Sequence, residues 1–232
     1  MLQRDAKLMK IVLRVGGSVV ASPLNAVLIS KYADLLKQLK KQEHEVAVVV
    51  GGGTYARDFI EAAKDLGLKE KAQDEIAISV SRIFAQLFLK KLGESGCEVV
   101  PLTVDDAVKC LRDGKIAVMG GLKPGMTTDT VAALICEKMS ADLLIKATDQ
   151  EGVYDKDPRK HKDAVLLPRL SLDELSQVFA EEKHKAGIHQ IIDPEAVKIL
   201  KRSRVKIAVL NGFKPENVLS TVEGKHIGTI VK

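Results

Sequence analysis

Val48-Val49-Val50-Gly51-Gly52-Gly53-Thr54-Tyr55-Ala56-Arg57 is the stretch on which the reading of this chain turns. A β-branched apolar run ends in three glycines, and the residues after them read as a helix start carrying an arginine. Glycines have no Cβ, so the main chain can close tightly on an anion. A helix N-terminus adds free N–H groups and a positive dipole end, and Arg57 adds a forked donor. The device recurs at Val15-Gly16-Gly17-Ser18, directly after Ile11–Val15. Two such turns in one short α/β chain imply two phosphate groups held near each other, which is a kinase-like arrangement.

The bulk numbers fit that reading. The chain has 232 residues, 46% hydrophobic and 29% charged, which is ordinary for a globular protein. One large domain spanning 1–232 is expected rather than two separable ones. No apolar run approaches the ~18 residues of a membrane span. Met1–Lys10 lacks the apolar core of a secretion signal, so a cytoplasmic location is expected. The net charge of +5 is dispersed, and five Phe, three Tyr and no Trp leave a weak footprint for nucleic acid. Cys97, Cys110 and Cys136 are too few and too scattered for a disulfide framework or a zinc site. They are expected to be buried free thiols in a reducing compartment.

Apolar runs predict strands at Ile11–Val15, Val46–Val50, Val99–Leu102, Ile116–Met119, Leu143–Ala147, Lys206–Leu210 and Ile227–Val231. Their apolarity is continuous, as a parallel sheet covered on both faces requires. Helices are expected between them. Ser22-Pro23 reads as a cap with proline at the first position of a helix to about Lys41. Ser171 and Glu174 have capping-box spacing, and Asp193-Pro194-Glu195 repeats the cap-plus-proline signal before Ala196–Lys201. Gln73–Leu92 reads as a long helix with Ile76, Val80, Ile83 and Leu87 on one stripe. The alternation gives an α/β fold, an open and mostly parallel sheet between helix layers, with ligands at the carboxyl ends of its strands. Asp149–Pro168 is polar and aperiodic, so it is expected as a long loop or small hairpin.

Neither a P-loop nor a Gly-x-Gly-x-x-Gly fingerprint occurs, so a nucleotide would be held by another device. A third glycine turn, Met119-Gly120-Gly121-Leu122-Lys123-Pro124-Gly125-Met126-Thr127-Thr128-Asp129, runs from a strand into the apolar helix Val131–Met139. Its last three residues either cap that helix or offer hydroxyls and a carboxylate to a ligand. A fourth segment, Ala147-Thr148-Asp149-Gln150-Glu151-Gly152-Val153-Tyr154-Asp155-Lys156-Asp157-Pro158, either is a solvated acidic loop or places Tyr154 and Asp157 around a nucleoside.

Taken together, Val-Gly-Gly-Ser, Val-Gly-Gly-Gly-x-x-Ala-Arg, Gly-Gly-x-x-Pro-Gly-x-Thr-Thr-Asp and Ala-Thr-x-x-x-Gly-Val-Tyr-x-x-Asp-Pro, in this order, resemble the amino acid kinase family. Within it the wording is similar to that of the archaeal-type uridylate kinases. The resemblance implies a three-layer αβα sandwich, with an acceptor-binding part at roughly 1–140 and an ATP-binding part at roughly 141–232. It implies transfer of the ATP γ-phosphoryl to UMP, giving UDP and ADP, with Mg2+ accompanying ATP and a homohexameric assembly. Gly17, Ser18, Gly53 and Arg57 would hold ATP phosphates, and Thr148, Asp149, Tyr154 and Asp157 would surround the nucleoside. Gly52, Asp74, Leu122, Lys123, Pro124, Gly125, Met126, Thr127 and Thr128 would hold UMP. Arg57 and Asp129 would be catalytic, Asp129 by orienting cations.

Three positions depart from the family wording: Arg14 for lysine, Asp149 for asparagine, and His189-Gln190 where some relatives carry lysine. A second cation would then come from Lys123 or Lys10. His44, His161, His184, His189 and His226 fall outside the motifs and read as surface or structural. The alternatives are an isopentenyl phosphate or acetylglutamate type of phosphotransferase, or a non-catalytic nucleotide or oxyanion binder on the same fold.

Overall fold

The structure, a computed structural model, describes residues 8–175 and 192–232. His184, His189 and Met1–Lys7 lie outside them. Strands β1 (Lys10–Val15), β2 (Glu45–Val50), β3 (Ala117–Met119), β4 (Leu143–Thr148), β7 (Arg169–Leu170), β8 (Lys206–Asn211) and β9 (Thr229–Val231) form one sheet in the order β3-β2-β1-β4-β8-β9-β7. All pair in parallel except β8 with β9. The order runs outward in both directions from β1 and β4. That junction is a topological switch point, where connections leave to opposite sides and open a crevice at the carboxyl ends of the strands.

Alternation along the strands sorts two cores. Ile11, Leu13, Val15, Leu143, Ile145 and Ala147 face one layer, built on α2 (Ala26–Lys41) and α4 (Glu70–Leu92). Val12 and Leu144 face the other, built on α5 (Val104–Arg112), α6 (Thr128–Met139) and α7 (Pro194–Ser203). Arg14 and Lys146 therefore fall on the α6 side, two residues on from Val12 and Leu144. Two short helices, α1 (Gly17–Val20) and α3 (Gly53–Asp65), spring directly from the glycine turns after β1 and β2.

Several expectations hold in detail. Ser171 and Glu174 form their reciprocal cap at 2.7 and 3.1 Å, and Asp193 caps α7. The segment after Asp149 is a small hairpin of β5 (Val153–Tyr154) and β6 (Leu166–Leu167).

Others need correction. Val99–Leu102 is no strand: Val99 and Leu102 are exposed, and Pro101 has no N–H for a ladder. Contact with the sheet edge is limited to a bridge between Gly96 and Ile116. Helix α2 begins at Ala26 with Asn25 as its cap, accepting from Leu28 N at 2.9 Å. The Ser22 hydroxyl instead accepts from Thr54 N at 2.7 Å. On α4 the buried stripe is Val80, Phe84 and Phe88, while Ile83 and Leu87 face out. The helix has two apolar stripes, and the one carrying aromatic bulk takes the core.

The cysteine expectation also fails in part. Cys97 and Cys110 form a disulfide with Cα atoms 6.0 Å apart, whereas Cys136 is free and buried. Residues 97 and 110 converge because α5 turns back beside the segment bridged to Ile116, a closeness that linear spacing hides. Free thiols thus no longer argue for a reducing compartment. Among the described residues no helix is long and apolar enough to cross a membrane.

Candidate active site

The carboxyl ends of β1, β2, β3 and β4 open into one cleft of about 920 Å³. Its floor is the paired first and second glycine turns. Gly16 N donates to Ala147 O at 2.8 Å, and Gly51 N donates to Val15 O at 3.2 Å, so the β1 turn is tied to both neighbours. Gly53 has φ +61°, a conformation that favours glycine.

One wall is the third turn, held by α4. Ser81 Oγ accepts from Gly121 N at 2.8 Å, and Arg82 donates to Gly121 O and Leu122 O, each at 3.0 Å. Asp74 accepts from Gly125 N at 2.7 Å, tying the loop tip to the same helix. Thr127 caps α6 by accepting from Thr130 N at 3.1 Å. Both threonine hydroxyls donate to Asp193, whose carboxylate also accepts from Glu195 N and Ala196 N. One carboxylate thereby joins the N-termini of α6 and α7.

The opposite wall is the fourth segment. Arg159 Nη2 pairs with Asp149 Oδ2 at 2.9 Å, and its main-chain N–H reaches Asp157 Oδ1 at 3.0 Å. The Gln150 amide, turned with its oxygen toward Arg159, accepts from Nε at 2.9 Å. The carboxylate that departs from the family wording is thus matched by a guanidinium ten residues on.

Beneath the cleft lies a buried charge cluster. Arg14 and Lys146 are register partners on adjacent strands, with Asp129 between them from the first turn of α6. Lys146 Nζ donates to Asp129 Oδ2 at 2.5 Å. Arg14 Nε lies 2.8 Å from Asp129 Oδ1, but neither atom has a hydrogen bond of good angle, so the attraction is mainly electrostatic. Arg14 Nη2 donates to Thr128 Oγ1 at 2.8 Å. Burial works to raise the Asp129 carboxyl, yet Lys146 and Arg14 outweigh it and hold the pKa below the usual carboxylate value.

Of the residues expected from the sequence, Gly17, Ser18, Gly52, Gly53, Arg57, Asp74, Lys123, Gly125, Met126, Thr127, Thr128, Asp129, Thr148, Asp149, Tyr154 and Asp157 all line this cleft. Leu122 and Pro124 are not among the lining; Leu122 packs against the core below the sheet. Lys10 stands at the opposite end of β1, which removes it as a second cation for the cleft. His44 accepts from Met9 N at 3.1 Å and His226 approaches Pro168 O, both structural contacts. Sequence reading missed Lys146 and Arg159, which line the cleft, and the tie from Asp193 to its wall. For Lys146 a signal existed: it is a lone cation inside an apolar strand. For Arg159 the sequence carried no sign beyond proximity to a motif, while the cap-plus-proline signal at Asp193 marked a helix start but not its tie to the third turn.

Residues 9–211 match the sequence profile of the Amino acid kinase family. The chain belongs to that family. A protein of Methanocaldococcus jannaschii named uridylate kinase is 42% identical over 97% of this chain and 100% of its own length. One of the same name from Methanobrevibacter smithii is 38% identical over 96% of this chain and 99% of its own. The crystal structure of uridylate kinase from Archaeoglobus fulgidus superposes with a TM-score of 0.86 at 37% identity, covering 97% of this chain and 100% of that one. UMP kinase from Ureaplasma parvum shares the fold, with a TM-score of 0.80 at 19% identity, 97% of this chain and 99% of that one.

Proposed function

We propose that the chain is a uridylate kinase, transferring the γ-phosphoryl of ATP to UMP to give UDP and ADP. The observation that carries this reading is the convergence of all four turn segments on one cleft at the switch point. It is joined by relatives of that name at 37% identity or more over nearly the full length.

Phosphoryl transfer depends on positioning and charge stabilisation rather than on a strong base. A non-bridging oxygen of the UMP phosphate, already ionised at neutral pH, attacks the γ-phosphorus. The bond to the β–γ bridging oxygen breaks, and ADP leaves with that electron pair. The site contains the parts this needs. Gly17, Ser18 and Gly53 expose main-chain amides to ATP phosphates. Gly52, Asp74, Lys123, Gly125, Met126, Thr127 and Thr128 hold the acceptor, Asp74 at its ribose. Thr148, Asp149, Tyr154 and Asp157 surround adenosine. Arg57 neutralises the moving group, and Asp129 fixes the cations beneath it.

No cluster of three or more metal-ligating side chains occurs among the described residues. Mg2+ would be carried by the nucleotide phosphates and water, which needs few protein ligands. When bound it would supply charge neutralisation to the nucleotide phosphates. On this reading the acceptor lies against roughly 1–140 and ATP against roughly 141–232, and the enzyme works in the cytoplasm as a homohexamer.

The test is a panel of acceptors with ATP and magnesium, reading out ADP. UMP is expected to be phosphorylated fastest. Faster phosphorylation of acetylglutamate or isopentenyl phosphate would overturn the substrate assignment, and binding of UMP and ATP without turnover would overturn catalysis.

A further inference from the structure

Lys146 is the member of the buried cluster to which the transfer scheme above gives no task. It sits in the middle strand pair, 7% exposed, and its side chain borders the cleft. An ammonium has three N–H donors. Among the described residues Asp129 is the one hydrogen-bond partner that Lys146 has. A buried ammonium with donors to spare is unfavourable unless an anion meets it. Asp129 does not discharge the pair, because one carboxylate is shared between two cations and a formal charge of about +1 remains. Asp193 acts on Lys146 through its charge, but its oxygens are taken by the hydroxyls of Thr127 and Thr130 and the amides that start α7, so it accepts no hydrogen bond from Lys146. That leaves Lys146 with N–H donors unspent under the point where the four turns meet.

We propose that Lys146 is a catalytic residue whose ammonium donates to the phosphoryl group in transit, with Asp129 holding it in register beside Arg14. It supplies the second cation that Lys10, at the far end of β1, does not provide. The inference rests on the phosphotransferase reading and adds a residue to it.

The charged groups acting on Lys146 are Arg14 from β1, Asp129 from α6 and Asp193 ahead of α7, while β8 offers the apolar Val209 in register. Burial pushes the ammonium down, Asp129 pulls it back up and Arg14 adds to the fall, leaving a pKa of about 8. The protonated, donating form therefore prevails below that value. The ratio kcat/KM, which reports the free enzyme, is expected to decline as pH rises through it, and an arginine at the same place would stay charged.

The experiment measures kcat and the pH profile of kcat/KM with UMP and ATP from about pH 6 to about pH 10 for the intact chain, Lys146→Met and Lys146→Arg, with UMP binding by calorimetry. Lys146→Met is expected to lose at least ~100-fold in kcat near pH 7 while UMP affinity stays within ~3-fold. Lys146→Arg is expected to keep turnover and lose the alkaline decline. A Met variant with kcat within ~3-fold of the parent overturns the proposal, as does an Arg variant whose decline is unmoved. If the Met variant does not fold, the Arg profile decides. A parent chain that phosphorylates no acceptor sinks the phosphotransferase reading itself. One that prefers another acceptor transfers the same comparison to that acceptor.

Discussion

Gly17 packs directly on the main chain of Gly53: a Cβ at residue 17 would lie 2.1 Å from Gly53 N and 2.6 Å from its Cα. A Cβ at 53 would in turn lie 2.3 Å from Ala21 O. The two phosphate-type turns are thus one interlocked body, and no side chain fits between them. Gly17→Ala is expected to lower stability by about 1–3 kcal/mol through overpacking and to abolish measurable ATP binding. Thermal melting with nucleotide titration checks it; a variant binding ATP as the parent does would separate the turns.

Asp129→Asn would leave Arg14 and Lys146 buried side by side with no carboxylate. Breaking a buried pair in this way costs about 3–5 kcal/mol. Denaturant midpoints are expected to drop accordingly, and the double variant Asp129→Asn/Lys146→Met to recover part of the loss. No recovery would mean that repulsion between the cations is not the cause.

For Asp74→Ala the expectation is a raised UMP requirement with little change for ATP. The carboxylate would be lost both to the acceptor and to Gly125 N, which it now holds at 2.7 Å. Steady-state kinetics in each substrate separates this from general damage, which would weaken both equally.

Arg57 is exposed and has no hydrogen bond or ion pair among the described residues. Arg57→Ala is therefore expected to fold normally while turnover falls at least ~10-fold, the usual scale for an electrostatic stabiliser. Unchanged turnover would remove it from the reaction centre.

His44 provides a pH test away from the cleft. Burial lowers its pKa below the ordinary 6.5, and its Nδ1 must be unprotonated to accept from Met9 N. The unfolded chain then takes up the proton first as pH falls. Stability from this group is complete above about pH 6.5 and is lost as pH drops toward the lower folded value. Urea midpoints at pH 8 and pH ~5.5 should differ more for the parent than for His44→Gln; equal differences would exclude the histidine.

Much of this was legible in the sequence because main-chain geometry writes itself into residue type. Glycines at strand ends marked the cleft, and Asp193-Pro194 marked a helix start that proved real. Lys146 was harder to see: one polar residue in an apolar strand signals a site only once a partner is known, and Asp129 lies seventeen residues away through a helix. Arg159 was hidden because a loop's closure brings it to Asp149 without any periodicity. The second apolar stripe of α4 misled for another reason, since periodicity shows that a helix is amphipathic but not which of two greasy faces is inward.

The base of the cleft is strand, interlocked glycine and buried charge, whereas its sides are loops pinned by side chains such as Asp74 and Arg159. Chemistry and selectivity are consequently housed in separable parts. On the proposed reading, recutting Lys123–Met126 would change which phosphate is welcomed while leaving the Thr127 cap and the Arg14–Asp129–Lys146 cluster in place, so one platform can serve many acceptors.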